Sequence, residues 1–110
     1  MFNILKDLAS LIKKNKNKSP KISYTSFLIH KKNFCLKKFL EEAKELEYES
    51  RYNNNKKKII YEAADMLYHF FVLLEFKKVS IFSVLKELKK RRKISGIQEK
   101  NNRKKNVRSK

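Results

Sequence analysis

Glycine and proline occur once each in this 110-residue chain, cysteine once and tryptophan not at all. With so few turn-formers, strand runs bounded by Gly, Pro or Asn-Gly signals are missing, and the composition favours helices. The lone Cys35 excludes an internal disulfide. The start of the chain carries Lys6 and Asp7 where a secretory leader would have an unbroken apolar core. No apolar run approaches the roughly 18 residues that a membrane span requires. These absences lead to the expectation of one small, cytoplasmic, all-α domain with no membrane partner.

Acid is also scarce. Eleven Asp and Glu face 29 Lys and Arg, giving a formal net charge of +18 and a pI near 10.1. Such a balance ordinarily points to nucleic acid. Here the cations are almost all lysine (24 Lys, 5 Arg), spread over the whole chain and accompanied by ten Asn. Arginine is the better residue for bidentate phosphate contacts, and an AT-rich genome produces the same Lys/Asn/Ile bias. No specific nucleic-acid partner is expected.

The apolar pattern sets out a helical bundle. Ile4, Leu5, Leu8, Leu11 and Ile12 form a first stripe capped by Asn3, followed by a basic loop over residues 13–22 that contains Pro20. Ser23 or Thr25 opens a second helix, and residues 29–33 read as a break. Leu36, Phe39, Leu40, Ala43 and Leu46 mark a third helix. A loop at 53–58 (NNNKKK) precedes a fourth carrying Ala63, Ala64, Leu67, Tyr68, Phe71 and Leu74. Residues 70–74 are apolar on every side, so they should be buried all round. In a domain this small, that suggests a subunit interface and a homodimer. Ser80 caps a last helix with Ile81, Val84, Leu85 and Leu88 inward, and the basic segment 101–110 reads as a disordered tail.

Against the lysine background, five carboxylates stand in two compact groups: Glu41, Glu42 and Glu45, then Glu62 and Asp65. Helical neighbours at i and i+3 share a face. If the two helices lie side by side, four carboxylates converge and repel one another unless a cation sits between them. An all-oxygen donor set suits Mg²⁺, with Mn²⁺ as a substitute. The bland alternative is a set of solvated charges paired with lysine. His69 shares the face of Glu62 and Asp65, either as a structural histidine or as a partner to the site. Lys38 lies one turn before the first group, and Arg91 near the end of the last helix suits a phosphate or the helix dipole.

The order of motifs is more telling than any one of them. SYT at 23–25, EEAKE at 41–45, YEAADMLYHFFVLL at 61–74, VSIFSVLKEL at 79–88 and SGIQEK at 95–100 follow in sequence. Together they resemble the phosphoribosyl-ATP pyrophosphohydrolases of histidine biosynthesis, members of the all-α, MazG-type nucleoside-triphosphate pyrophosphohydrolases. EExxE and ExxD are the superfamily's pattern, and SYT with EAADMLYH narrows it. The resemblance covers about residues 5–100, in the free-standing form, so 1–100 is taken as the domain. Lys31, Lys32 and Asn33 stand where a glycine usually follows SYT, and Leu40 where one commonly precedes the glutamates.

The resemblance implies a small bundle completed by homodimerisation. It also implies Mg²⁺-dependent hydrolysis of phosphoribosyl-ATP to phosphoribosyl-AMP and pyrophosphate. Glu42, Glu45, Glu62 and Asp65 would hold the metal, and Glu41 would be a spare ligand or base. Ser23, Tyr24, Thr25, Lys38, His69 and Arg91 would meet substrate. The rivals are a housecleaning pyrophosphohydrolase of free (d)NTPs using the same carboxylates, and a basic, non-enzymatic RNA-associated protein.

Overall fold

The structure, a computed structural model, describes residues 2–92, so the expected basic tail at 101–110 lies outside the described residues. Among these residues there is no strand. Five α-helices follow in order: α1 (Phe2–Asn15), α2 (Tyr24–His30), α3 (Phe34–Tyr48), α4 (Lys56–Phe76) and α5 (Ile81–Arg91). A π-helical turn, Glu49–Asn53, extends α3. None of these helices is long and apolar enough to cross a membrane. The chain forms two compact units, Met1–Val79 and Ser80–Lys110.

In the first unit α3 and α4 are the principal packed pair, and α1 and α2 lie against α4. The short link between α3 and α4 makes them an antiparallel hairpin. Side-chain pairs confirm the direction: Phe39 meets Phe70, with ring centroids 5.9 Å apart, while Glu42, later in α3, meets Asp65, earlier in α4. Ile12, Leu28, Cys35, Phe71 and Val72 form the buried core, each aliphatic or aromatic member contributing about 1.5–3 kcal/mol.

Several expected boundaries move. Helix α1 runs on through Lys13–Asn15, because lysine propagates a helix well. Its inward face is Leu5, Leu8 and Ile12, while Ile4 and Leu11 are exposed. Leu40 in α3 and Leu88 in α5 are exposed too, contrary to the expected stripes. The supposed 53–58 loop shrinks to Asn54 and Asn55, since Asn55 Oδ1 accepts the Lys58 N–H at 3.3 Å and starts α4 at Lys56. Within 70–74, Phe71 and Val72 are buried and the others are half-buried.

Turns that glycine would normally make are made without it. Asn33, Asn54 and Lys78 all take positive φ, at 58°, 50° and 58°. Lys78 ends α4: its N–H bonds the Glu75 carbonyl at 3.0 Å and the Val79 N–H bonds that of Leu74 at 2.9 Å. That is a Schellman closure with lysine in the left-handed position. In the second unit, Ser80 Oγ accepts the Phe82 N–H at 3.1 Å and caps α5, whose last turn carries Lys89, Lys90 and Arg91.

Candidate active site

Helix α3 advances about 100° per residue, so Glu42 and Glu45 project from one narrow stripe. Glu62, Asp65 and His69 make the matching row on α4. The antiparallel hairpin sets these rows face to face. One oxygen from each of Glu42, Glu62 and Asp65 lies within 4.8 Å of the other two. Glu42 is only 6% exposed, and Glu62 and Asp65 are half-buried. Glu45 is exposed and adjoins Glu62.

Burial and mutual repulsion push the carboxyls of Glu42 and Glu62 above the ordinary carboxylate range. For Glu42 the largest cause is desolvation, followed by Glu45 and Asp65; His69 and Lys38 act in the opposite sense. For Glu62 desolvation again leads, followed by Glu45, Asp65 and Glu42. Glu42 Oε2 and Glu62 Oε2 are buried without a hydrogen-bond partner. Opposed ligands on one hard cation stand about 4–5 Å apart. An oxygen-only set at this spacing, with orphaned lone pairs, fits a divalent ion of that type.

Lys38 bridges two members of EExxE: its Nζ is 3.2 Å from Glu41 Oε2 and 3.6 Å from Glu42 Oε1. The bond to Glu41 is the main cause of the raised lysine pKa. Glu41 is thereby held to one side and is not part of the convergent trio.

The SYT segment divides by role. Ser23 Oγ accepts the Ser26 N–H at 3.1 Å and caps α2. Thr25 Oγ1 shares a 2.6 Å hydrogen bond with the Tyr68 hydroxyl, pinning α2 to α4. Both hydroxyls are thus engaged in holding the fold. Tyr24 is half exposed and stands edge-on to His69, with centroids 6.1 Å apart. Burial raises its phenol pKa, Lys38 opposes this, and Glu42 and Asp65 add to it, which marks the ring as a wall of the carboxylate site.

His69 is 4% exposed, and its Nδ1 is 2.8 Å from the Asp65 main-chain oxygen. A carbonyl only accepts, so Nδ1 carries the hydrogen. In the neutral ring Nε2 is then an acceptor, and it is buried without a partner. Arg91 belongs to α5 in the second unit, where its Nε is 3.3 Å from Glu87 Oε1.

Sequence reasoning missed Glu49. It lies seven residues after Glu42 and four after Glu45, on the same stripe, and is 8% exposed. That spacing was the available signal. Its position in a π turn was not foreseeable from periodicity.

With this geometry in hand, comparison with known proteins is informative. Residues 5–92 match the family described as phosphoribosyl-ATP pyrophosphohydrolase. The chain is 38% identical over 104 residues to a phosphoribosyl-ATP pyrophosphatase of Vesicomyosocius okutanii, covering 94% of this chain and 98% of that one. It is 41% identical over 100 residues to one of Ruegeria pomeroyi, covering 90% and 94%. A histidine biosynthesis bifunctional protein of Wolinella succinogenes is 43% identical over 86 residues, 77% of this chain. The chain spans only 37% of that larger relative.

Proposed function

The chain belongs to the phosphoribosyl-ATP pyrophosphohydrolase family, and on that premise we propose that it hydrolyses the α–β phosphoanhydride of phosphoribosyl-ATP. The products are phosphoribosyl-AMP and pyrophosphate, in the second step of histidine biosynthesis. The observation that carries this reading is the meeting of Glu42, Glu62 and Asp65 oxygens within 4.8 Å, two of these residues keeping a buried, unpartnered oxygen.

Glu42, Glu62 and Asp65, with Glu45 beside them, would hold Mg²⁺ or, as a substitute, Mn²⁺. The bound ion supplies charge neutralisation at the phosphates and a more acidic water. The chain's own residues do the rest. Lys38, held by Glu41, offers a cation to the phosphates, and Tyr24 walls the site on the α2 side. Ser23 and Thr25 fix the start of α2, and so the placing of Tyr24. His69 presents its buried Nε2 beside Glu42. The reading includes a cytoplasmic homodimer: Ile60 and Leu67, two turns apart on α4, are 69% and 40% exposed, apolar area that a second copy would cover. Sedimentation equilibrium tests that part.

The decisive assay is pyrophosphate release from phosphoribosyl-ATP, ATP and dCTP offered separately with Mg²⁺, and with EDTA as control. Turnover of phosphoribosyl-ATP alone, abolished by EDTA, is expected. Asp65→Asn should lower kcat/KM on the order of 10³-fold, since a metal centre supplies several kcal/mol and each 1.36 kcal/mol is tenfold. Unchanged turnover in that variant would remove the metal-site assignment. Preference for the free nucleotides would turn the reading to a housecleaning enzyme using the same carboxylates.

A further inference from the structure

A groove of about 360 Å³ adjoins the convergent trio, lined by Lys44, Glu45, Tyr48, Glu49 and Glu62. Glu62 belongs both to the trio and to the groove wall, so the two spaces meet at that residue. Glu49 is 8% exposed. Its Oε2 accepts a hydrogen bond from Asn53 Nδ2 at 3.2 Å, while its Oε1 is buried with no partner. Lys44 borders the same groove, yet among the described residues it forms no ion pair with Glu49. A buried carboxylate held by one neutral amide is unfavourable unless a cation completes it. The groove also has an open aromatic wall. Tyr48 is 58% exposed, and its ring pairs with that of Tyr52, 67% exposed, at 4.9 Å between centroids.

An aromatic face beside a buried carboxylate suits a flat organic cation, which the ring attracts through its quadrupole and the carboxylate through its charge. Phosphoribosyl-ATP offers one. Its second ribose is bonded to N1 of the adenine, and carbon substitution there makes the base so much more basic that it carries a proton near neutral pH. The adenine of ATP is neutral under the same conditions. We propose that Tyr48 and Glu49 form the subsite that reads this cationic base and so distinguishes phosphoribosyl-ATP from ATP. Tyr48 stacks on the base, and Glu49 accepts a charge-assisted hydrogen bond from its exocyclic N6–H. The inference rests on the pyrophosphohydrolase reading, but its test measures binding, not turnover.

The probes are 1-methyl-AMP, which carries the same cationic base, and AMP, each titrated calorimetrically into full-length protein with Mg²⁺. Wild type is expected to bind 1-methyl-AMP about tenfold more tightly than AMP, the order that a cation–π contact at a partly desolvated site supplies. Glu49→Gln keeps the length of the side chain and an acceptor for Asn53. It should bring the two nucleotides to near-equal affinity by weakening 1-methyl-AMP alone. Tyr48→Leu should weaken both, 1-methyl-AMP the more, and Tyr48→Phe should behave as wild type. Equal affinities in wild type, a preference that survives in both Glu49→Gln and Tyr48→Leu, or no binding of either probe overturns the subsite. None of these outcomes touches the enzyme reading, which stands or falls on pyrophosphate release. If Glu49→Gln does not fold, the wild-type Asn53 side-chain amide signals decide the matter. A shift with 1-methyl-AMP that AMP does not produce supports the subsite, and its absence refutes it.

Discussion

Glu42 is the residue at which stability and binding pull in opposite directions. Its carboxyl is raised above the ordinary 4.5 by burial first and by Glu45 and Asp65 next. In the metal-free protein the folded state therefore holds the proton more tightly than the unfolded chain does. The stability this provides is fully present below pH 4.5 and is lost as pH rises through the folded-state value. Glu42→Gln cannot ionise, so in EDTA its melting temperature should gain on that of wild type as pH increases from about 4.5. A difference that stays flat with pH would mean that the carboxylate is not destabilised in the fold. The i,i+3 spacing made the Glu42/Glu45 and Glu62/Asp65 rows readable before any coordinates. Which glutamates are buried was not readable, because it depends on what the opposite helix presents. Glu41 and Glu49 illustrate this: one pairs with Lys38, and the other is buried at the start of the π turn.

At the level of elements, two helix starts were legible: Ser23 and Ser80 each cap a helix with a side-chain oxygen, a role that serine favours. Asn55 caps α4 from inside what read as a loop, and Asn3, read as the first cap, lies within α1. The helix ends were less legible, because left-handed closures are usually announced by glycine and this chain uses Asn54 and Lys78 instead, while Asn33 takes the same conformation at the start of α3. Asn33 occupies the segment where the family resemblance leads one to expect a glycine. Asparagine tolerates that conformation; lysine does so less well. Lys78→Gly should therefore stabilise the protein by about 0.5–1 kcal/mol, since relief of some 1–2 kcal/mol of strain exceeds the added unfolded-state entropy. Urea unfolding with an unchanged m-value would measure it, and a loss of stability would show that Lys78 contributes more by contact than it costs by conformation. The π turn escaped notice because a one-residue widening of a helix leaves no mark on an apolar repeat.

Across the whole molecule, a net charge of +18 coexists with an acidic site. Composition alone invited an RNA-binding interpretation, and the convergent carboxylates are what weigh against it. A basic exterior can still serve catalysis by raising the local concentration of a polyanionic substrate. kcat/KM for phosphoribosyl-ATP should then fall several-fold between low and physiological ionic strength, with kcat nearly constant. A salt-independent kcat/KM would leave the charge without a part in catalysis.

The α3–α4 hairpin brings together carboxylates that are distant in sequence, and their buried oxygens find each other only once both helices are packed. An ion that needs all of them has nothing to hold while the chain is unfolded. Such an ion would bind after the rate-limiting crossing, and so would lengthen the lifetime of the native state without hastening its formation. Stopped-flow measurements should show Mg²⁺ slowing the unfolding limb and leaving the refolding limb where it was. The ion would then act as a latch on a hairpin that closes unaided.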